Sequence, residues 1–176
     1  MNLMRTVRID KVTLNIGIGE PGPRLEKAMK LLKIITGATP VSIQTMKRIP
    51  TWGVRPKLHI ATKVTLRGQK AEEILNRLLQ ACDKKIPLSK FDTFGNFSFG
   101  IAEYLDIPGV KYDVDIGIIG LEAAVTLVRA GSRVRLRRIR PVRLPLRHRV
   151  HREEAVSFIS EKFGVSVVDE QEGALA

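Results

Sequence analysis

Lys11-Val12-Thr13-Leu14-Asn15-Ile16-Gly17-Ile18-Gly19-Glu20 decides how the rest of the chain is read. Apolar and polar residues alternate along it, which is the period of a β-strand. Val12, Leu14, Ile16 and Ile18 share one face and can cover a core. Lys11, Thr13, Asn15 and Gly17 share the other and offer hydrogen-bonding groups to a wet partner. An echo follows in Lys63-Val64-Thr65-Leu66-Arg67-Gly68. There Ile60, Thr62, Val64 and Leu66 fall on one face, and Ala61, Lys63, Thr65 and Arg67 on the other. Val and Thr favour strands in any sheet, so alternation alone requires no more than a sheet. The repeated outward Lys-x-Thr adds something further: a polar platform shared by two strands.

Outward from this strand, elements and breaks take turns. Residues 1–5 read as a loose arm. Val7 and Ile9 begin the alternation, and its phase changes at Asp10-Lys11, as at a β-bulge. Pro21-Gly22-Pro23 signals a helix start. Leu25, Ala28, Leu32 and Ile35 form its apolar stripe to about Thr36, with Gly37 as the stop. Val41 to Met46 is a second strand, with Ser42 and Gln44 on one face and Val41 and Ile43 on the other. Lys47 to Lys57 contains two prolines, one glycine and no sustained period, so it reads as a loop. Leu58 to Arg67 is the third strand, giving a long hairpin with an extended tip. That tip gathers Lys47, Arg48, Arg55 and Lys57 around the only tryptophan, Trp52.

Gln69 to Cys82 is a second amphipathic helix, with Ile74, Leu75, Leu78, Leu79 and Cys82 on one side. Asp83 to Pro87 is a polar break. Phe91 to Ile101 holds four of the six phenylalanines, and Phe97, Phe99 and Ile101 alternate as a strand. Glu103 to Asp115 reads as an irregular connection, and Glu122 to Arg129 as another strand. The Arg-rich segment that follows is broken by Pro141 and Pro145, so it is no single helix. Arg152 to Phe163 is a final helix, with Ala155, Phe158, Ile159 and Phe163 inward and Gly164 as its stop. Val165 to Val168 offers an edge strand, and the acidic tail Asp169-Glu170-Gln171-Glu172 is expected to fray. Alternating strands outnumber helices. The prediction is an α+β two-layer domain: a mostly antiparallel sheet with helices on one face, plus an Arg-rich C-terminal extension. Residues 1–176 read as a single domain, with a core of about 7–130, the Arg-rich segment at 129–152 and the last helix at 152–163.

Thirty basic residues against eighteen acidic ones give 176 residues a formal charge of +12. From Arg129 to Arg152 there are ten arginines and no acid or lysine, so this window carries nearly all the excess. A concentrated arginine stripe fits a polyphosphate partner, and arginine suits phosphate forks and base stacking better than lysine. An anionic membrane is the competing partner, but the window has no Trp or Phe to anchor in an interface. No stretch approaches the roughly 18 apolar residues of a membrane span, and the N-terminus lacks the apolar run of a signal peptide. Cys82 is the only cysteine, so no internal disulfide can form, which fits a reducing, cytoplasmic setting.

Four motifs invite sharper readings and lose to plainer ones. Gly17-x-Gly19-x-x-Gly22 matches the dinucleotide fingerprint between a strand and a helix. Its strand alternates, however, where a nucleotide-binding first strand is buried on both faces. Glu20 also places negative charge where a phosphate would lie, so a tight turn is the better account and no cofactor is expected. Gly95-Asn96-Phe97-Ser98-Phe99 resembles an RNA-stacking strand motif, but its period points the rings into the core. His148-x-x-His151 sits among arginines that repel a metal cation, and no metal is expected. Glu103, Asp106, Asp113 and Asp115 lack the order of a calcium loop and read as a solvated turn region. No nucleophile motif is present; an enzyme is not expected.

The motifs KVTLNIGIGE, LEKAMKLLKIITG-x-x-PV, KVTLRG and FDTFGNFSFGI, in this order, resemble the large-subunit ribosomal protein L-five family over roughly residues 7–130. The Arg-rich segment followed by HRV-x-x-EEA and FGV is similar to its archaeal and eukaryotic branch. The resemblance implies a structural protein that binds 5S rRNA in the central protuberance, contacts the large rRNA and bridges to a protein of the small-subunit head. By analogy the polar sheet face meets 5S rRNA, through Thr13, Asn15, Gln44, Lys63, Thr65 and Arg67. The tip, with Lys47, Arg48, Trp52, Arg55 and Lys57, would approach peptidyl-site (P-site) tRNA. Pro50, Thr51 and Trp52 depart there from the smaller residues of the bacterial branch. Charge alone assigns Arg133, Arg135, Arg137, Arg138, Arg140, Arg143, Arg147 and Arg149 to rRNA. A free RNA-binding or RNA-annealing factor is the alternative.

Overall fold

The computed structural model describes residues 2–168; the acidic tail from Asp169 to Glu172 lies outside them. Strands β1 (Val7–Gly17), β2 (Val41–Gln44), β3 (His59–Leu66), β5 (Phe97–Ile101) and β6 (Leu121–Arg129) form one sheet in the order β2-β3-β1-β6-β5. Every pairing in it is antiparallel, with the opening strand at the centre. The phase change at Asp10 is a real irregularity: the β1–β6 register shifts between Ile9 and Lys11. That shift lets Ile9 and Val12 both point inward, because one extra residue flips the alternation.

Helices α1 (Pro23–Thr36) and α2 (Gln69–Ala81) lie on one face of this sheet, α1 against β3 and α2 against β1. Leu25, Ala28, Leu31, Leu32 and Ile35 from α1, and Ala71, Ile74, Leu75, Leu78 and Leu79 from α2, bury that layer. They meet Val12, Leu14, Ile16, Val64 and Leu66 from the sheet. Truncating a fully buried leucine such as Leu14 to alanine would cost about 2–5 kcal/mol. Gly37 ends α1 in the left-handed region, at φ 63°, where its N–H donates to the Lys33 carbonyl at 2.9 Å. Phe91 and Phe97 stack at 5.0 Å between centroids and belong to the core, as the alternation of the aromatic stretch indicates.

Four expectations change. Residues 3–5 are not a loose arm: Leu3–Arg5 form a 3-10 turn, with the Met4 N–H donating to Asn2 Oδ1 at 3.0 Å. The supposed polar break contains a strand, β4 (Lys85–Pro87), because Ile86 is an inward residue and is fully buried. β4 pairs in parallel with β7 (Ser166–Val168), so the last strand starts a second small sheet and does not edge the main one. The Arg-rich segment is also no extension beyond the fold. Helix α3 (Arg152–Phe163) follows it and returns Ala155 and Ile159 to the core, with Phe158 and Phe163 half-buried, so the segment is an internal connection from β6. The connection before β6 carries its own anchor. Tyr104 is fully buried, and its hydroxyl accepts the Asp113 N–H at 3.1 Å.

Candidate nucleic-acid interface

The second face of the five-stranded sheet is open. Thr13 stands opposite Thr65, and Asn15 opposite Lys63, so four of the predicted platform residues form one block. β6 extends it on the other side, with Ala124 opposite Thr13 and Glu122 opposite Asn15, and β5 adds Ser98 and Gly100. Thr13, Thr65, Ser98, Gly100 and Ala124 give it little height, with Lys11, Lys63 and Glu122 as its longer side chains. At Gly17 and Gly100 a Cβ would find nothing within 4 Å. Low relief over several strands lets a broad, rigid surface come close to the backbone. Sequence reasoning missed Ser98, Glu122, Ala124 and Thr126. Their strands alternate legibly, but nothing in them repeats the Lys-x-Thr signature.

Two predicted platform residues are placed differently. The Ser42 side of β2 is not the platform side. Ser42 stands opposite the buried Thr62, while Val41 and Ile43 stand opposite Lys63 and Ala61 on the platform side. A register shift between Ile43 and Gln44 then sets Gln44 against His59, with their Nε2 atoms 3.0 Å apart. Arg67 lies just past the end of β3 and is paired with Asp10, the bulge residue, at 3.5 Å. Both side chains of this pair remain in contact with solvent, so it is weak and exchangeable.

The hairpin tip is ordered by its own backbone. The Thr45 N–H donates to the Leu58 carbonyl at 2.9 Å, and the Lys57 N–H returns to the Thr45 carbonyl at 2.7 Å. Ile49 and Val54 bridge across a 3-10 turn at Pro50–Trp52. Val54 is buried, whereas Trp52 is 75% exposed, with Lys47, Arg48, Arg55 and Lys57 exposed around it. An exposed indole among four cations presents a stacking surface in a positive field.

The arginine run divides into two populations. Arg133, Arg135, Arg137, Arg138, Arg140, Arg143 and Arg147 are exposed. Arg149, assigned with them from charge, is half-buried and stands over the Phe94 ring, 4.8 Å from its centroid. Arg129 is nine-tenths buried and pairs with Glu154 of α3, and Arg152 donates to the Leu88 carbonyl. These three hold the segment to the body of the protein. Burial alone would raise the Glu154 carboxyl, but the His151 N–H and the Arg129 guanidinium outweigh it and hold the group below its ordinary value. His148 meets the Ala130 carbonyl at 2.8 Å, and His151 caps α3 in a reciprocal box with Glu154, so both histidines have structural work.

The remaining motifs resolve into structure. Gly22 caps α1 with Pro23 behind it, and Glu20 faces Arg24 at 3.9 Å across the turn that resembled a dinucleotide fingerprint. Asp113 pairs with Lys30 at 2.9 Å, which lowers the carboxyl and raises the ammonium. Burial, with Asp106 and Asp83 adding to it, raises the Cys82 thiol. Among the described residues no group of three His, Cys, Asp or Glu is placed to hold a metal ion, and no helix is long and apolar enough to cross a membrane.

A polar sheet face of low relief, beside a row of exposed arginines and a basic hairpin tip, is the build of a ribonucleoprotein component that lies along folded RNA. The comparisons with known proteins agree. Residues 2–55 match the family described as "Ribosomal protein L5", and residues 59–158 match the model of that ribosomal family's C-terminus. The chain is 50% identical over 170 residues to the large ribosomal subunit protein uL5 of Sulfurisphaera tokodaii, covering 96% of both chains. It is 51% identical over 166 residues to uL5 of Nanoarchaeum equitans, covering 94% of this chain and 98% of that one. The chain belongs to the ribosomal protein L5 family. It is therefore a large-subunit ribosomal protein, a cytoplasmic structural constituent of a ribonucleoprotein and not an enzyme, and its relatives bear out the archaeal affinity read from the sequence.

Proposed function

We propose that this protein binds 5S rRNA in the central protuberance through the open face of its sheet, with Thr13, Asn15, Lys63 and Thr65 at the centre of the contact. The observation that carries this reading is the bareness of that face. Helices cover one side of the sheet, whereas on the other side Thr13, Asn15, Lys63, Thr65, Ser98 and Ala124 stay accessible, with no element over them among the described residues. Such a surface suits the shallow groove of double-helical RNA, which is met through 2′-hydroxyls, phosphates and shape. Gln44 and Arg67 border the contact, and Arg67 exchanges its Asp10 partner for phosphate. The seven exposed arginines from Arg133 to Arg147 meet large-subunit rRNA. The tip around Trp52 approaches P-site tRNA, and the protein bridges to a protein of the small-subunit head.

The test is a salt titration of binding to transcribed 5S rRNA, against an unrelated RNA of equal length. Each neutralised phosphate steepens the loss of affinity with salt by about 0.7–0.9 in a double-logarithmic plot. The expected result is a clear preference for 5S rRNA that persists at physiological salt. Equal binding of both RNAs, lost in parallel as salt rises, would leave only the arginines acting and favour a general RNA-annealing factor.

A further inference from the structure

We infer that the hollow beside Arg129, at one end of the open sheet face, receives a single unpaired nucleobase of the RNA lying on that face. The inference rests on the platform reading above and adds a subsite to it. The hollow has a volume of about 160 Å³. A cavity of roughly 150 Å³ is known to admit one six-membered aromatic ring. Thr126 and Val128 line it from β6, on the open face opposite Lys11 and Arg8. Phe94, Asn96, Ser132 and Leu144 add to its walls from the aromatic stretch and the Arg-rich segment. RNA that crosses Thr13 and Ala124 therefore meets the mouth of the hollow without leaving the sheet.

The lining favours a base over a phosphate. Phe94 is 45% exposed although it belongs to an aromatic stretch that is otherwise in the core, and Arg149 stands over its ring. A ring covered on one face by a guanidinium keeps its other face, and the guanidinium its outer plane, as surfaces on which an unpaired base can stack. Arg129, on the same wall, already has Glu154 as its counter-ion, so a phosphate there would also face a carboxylate. The Nε atoms of Arg129 and Arg149 are buried with no hydrogen-bond partner, so neither guanidinium has all its donors engaged. Base edges carry neutral carbonyl oxygens and ring nitrogens that accept such donors. Asn96 and Ser132 supply a donor and an acceptor for the rest of the edge. Arg135, which also lines the hollow, is placed for the phosphate beside the inserted base.

The experiment uses the full chain with transcribed 5S rRNA and with the unrelated RNA of equal length. Ultraviolet cross-linking followed by mass spectrometry reads which residue joins which nucleotide. The expected product links Phe94 to one unpaired nucleotide. Phe94→Ala removes the ring and Ser132→Trp fills the hollow; each should weaken 5S binding by roughly tenfold, the size of one lost stack. Neither changes charge, so the salt slope should stay that of the wild type. Phe94→Tyr keeps the ring and should keep the affinity. Thermal unfolding checks that each variant is folded, and if Ser132→Trp is not, the contrast between Phe94→Ala and Phe94→Tyr decides. Wild-type affinity in Phe94→Ala, or no link at Phe94, overturns the pocket while leaving the platform reading intact. If the wild type shows no preference for 5S rRNA, the platform reading falls. A Phe94 link to a base of either RNA then still upholds the pocket, and its absence from both rejects it.

Discussion

Arg129 and Arg135 belong to one basic run, yet only Arg135 is exposed to meet a phosphate. Arg129 is held by Glu154, whose carboxyl is depressed below its ordinary value of 4.5. A depressed folded-state value means that the contact stabilises the fold above the unfolded value. It is lost as pH falls through the folded one, in the range below about 4.5. Glu154→Gln keeps a capping side chain but removes the charge. It should lower stability at pH 7 by about 1 kcal/mol, a figure discounted for the solvent exposure of Glu154. It should also flatten the acid limb of stability, read from urea unfolding at pH 7 and pH 4. Gly95 is a second single-residue constraint. Its φ is +73°, and a Cβ there would lie 2.8 Å from Val150 Cγ1 and 3.1 Å from Ala155 Cβ. Gly95→Ala combines a strained backbone with overpacking against α3 and should cost about 2–4 kcal/mol, visible as a lowered thermal midpoint. Neither constraint can be read from the chain, because both partners of each contact come from distant positions.

At the scale of elements, legibility follows the number of residues that carry a period. β1 runs for 11 residues, so its phase change at Asp10 is visible before the pairing is known. β2 has only four, too few to reveal the shift between Ile43 and Gln44, and its alternation by itself puts the wrong face outward. β4 is shorter still, and three residues among polar neighbours read as a break. The β2–β3 hairpin closes on the Thr45 and Lys57–Leu58 backbone bonds, below the tip. Replacing residues 47–56 with a short turn, which keeps Lys57 and its bond to Thr45, should therefore leave the sheet and 5S rRNA binding intact. The same deletion should impair the positioning of P-site tRNA on assembled ribosomes, read by footprinting or by frame maintenance. Loss of 5S binding on that deletion would refute the division between tip and platform.

Over the whole molecule, the charge and the platform do different work. Asn15→Ala with Lys63→Ala should weaken 5S rRNA binding far more than Arg135→Ala with Arg137→Ala. The first pair removes groups from the centre of a shape-matched contact, the second removes two of the seven exposed charges. Equal losses, measured by filter binding at one salt concentration, would mean that the open face is not the 5S site. Much of this protein was legible in one dimension: the fold class, the helices α1, α2 and α3, the outward row from Lys11 to Gly17, and the family. All of these rest on local periodicity and on residues quoted in order, which need no knowledge of what lies across the fold. Tertiary structure alone decided which arginines face solvent, where Gln44 points, that β4 pairs with β7, and that Phe94 and Ser132 share a hollow with the end of the platform. The reason is physical: burial, ion pairing and register depend on which distant residues arrive next to one another, and composition and spacing do not specify the neighbour.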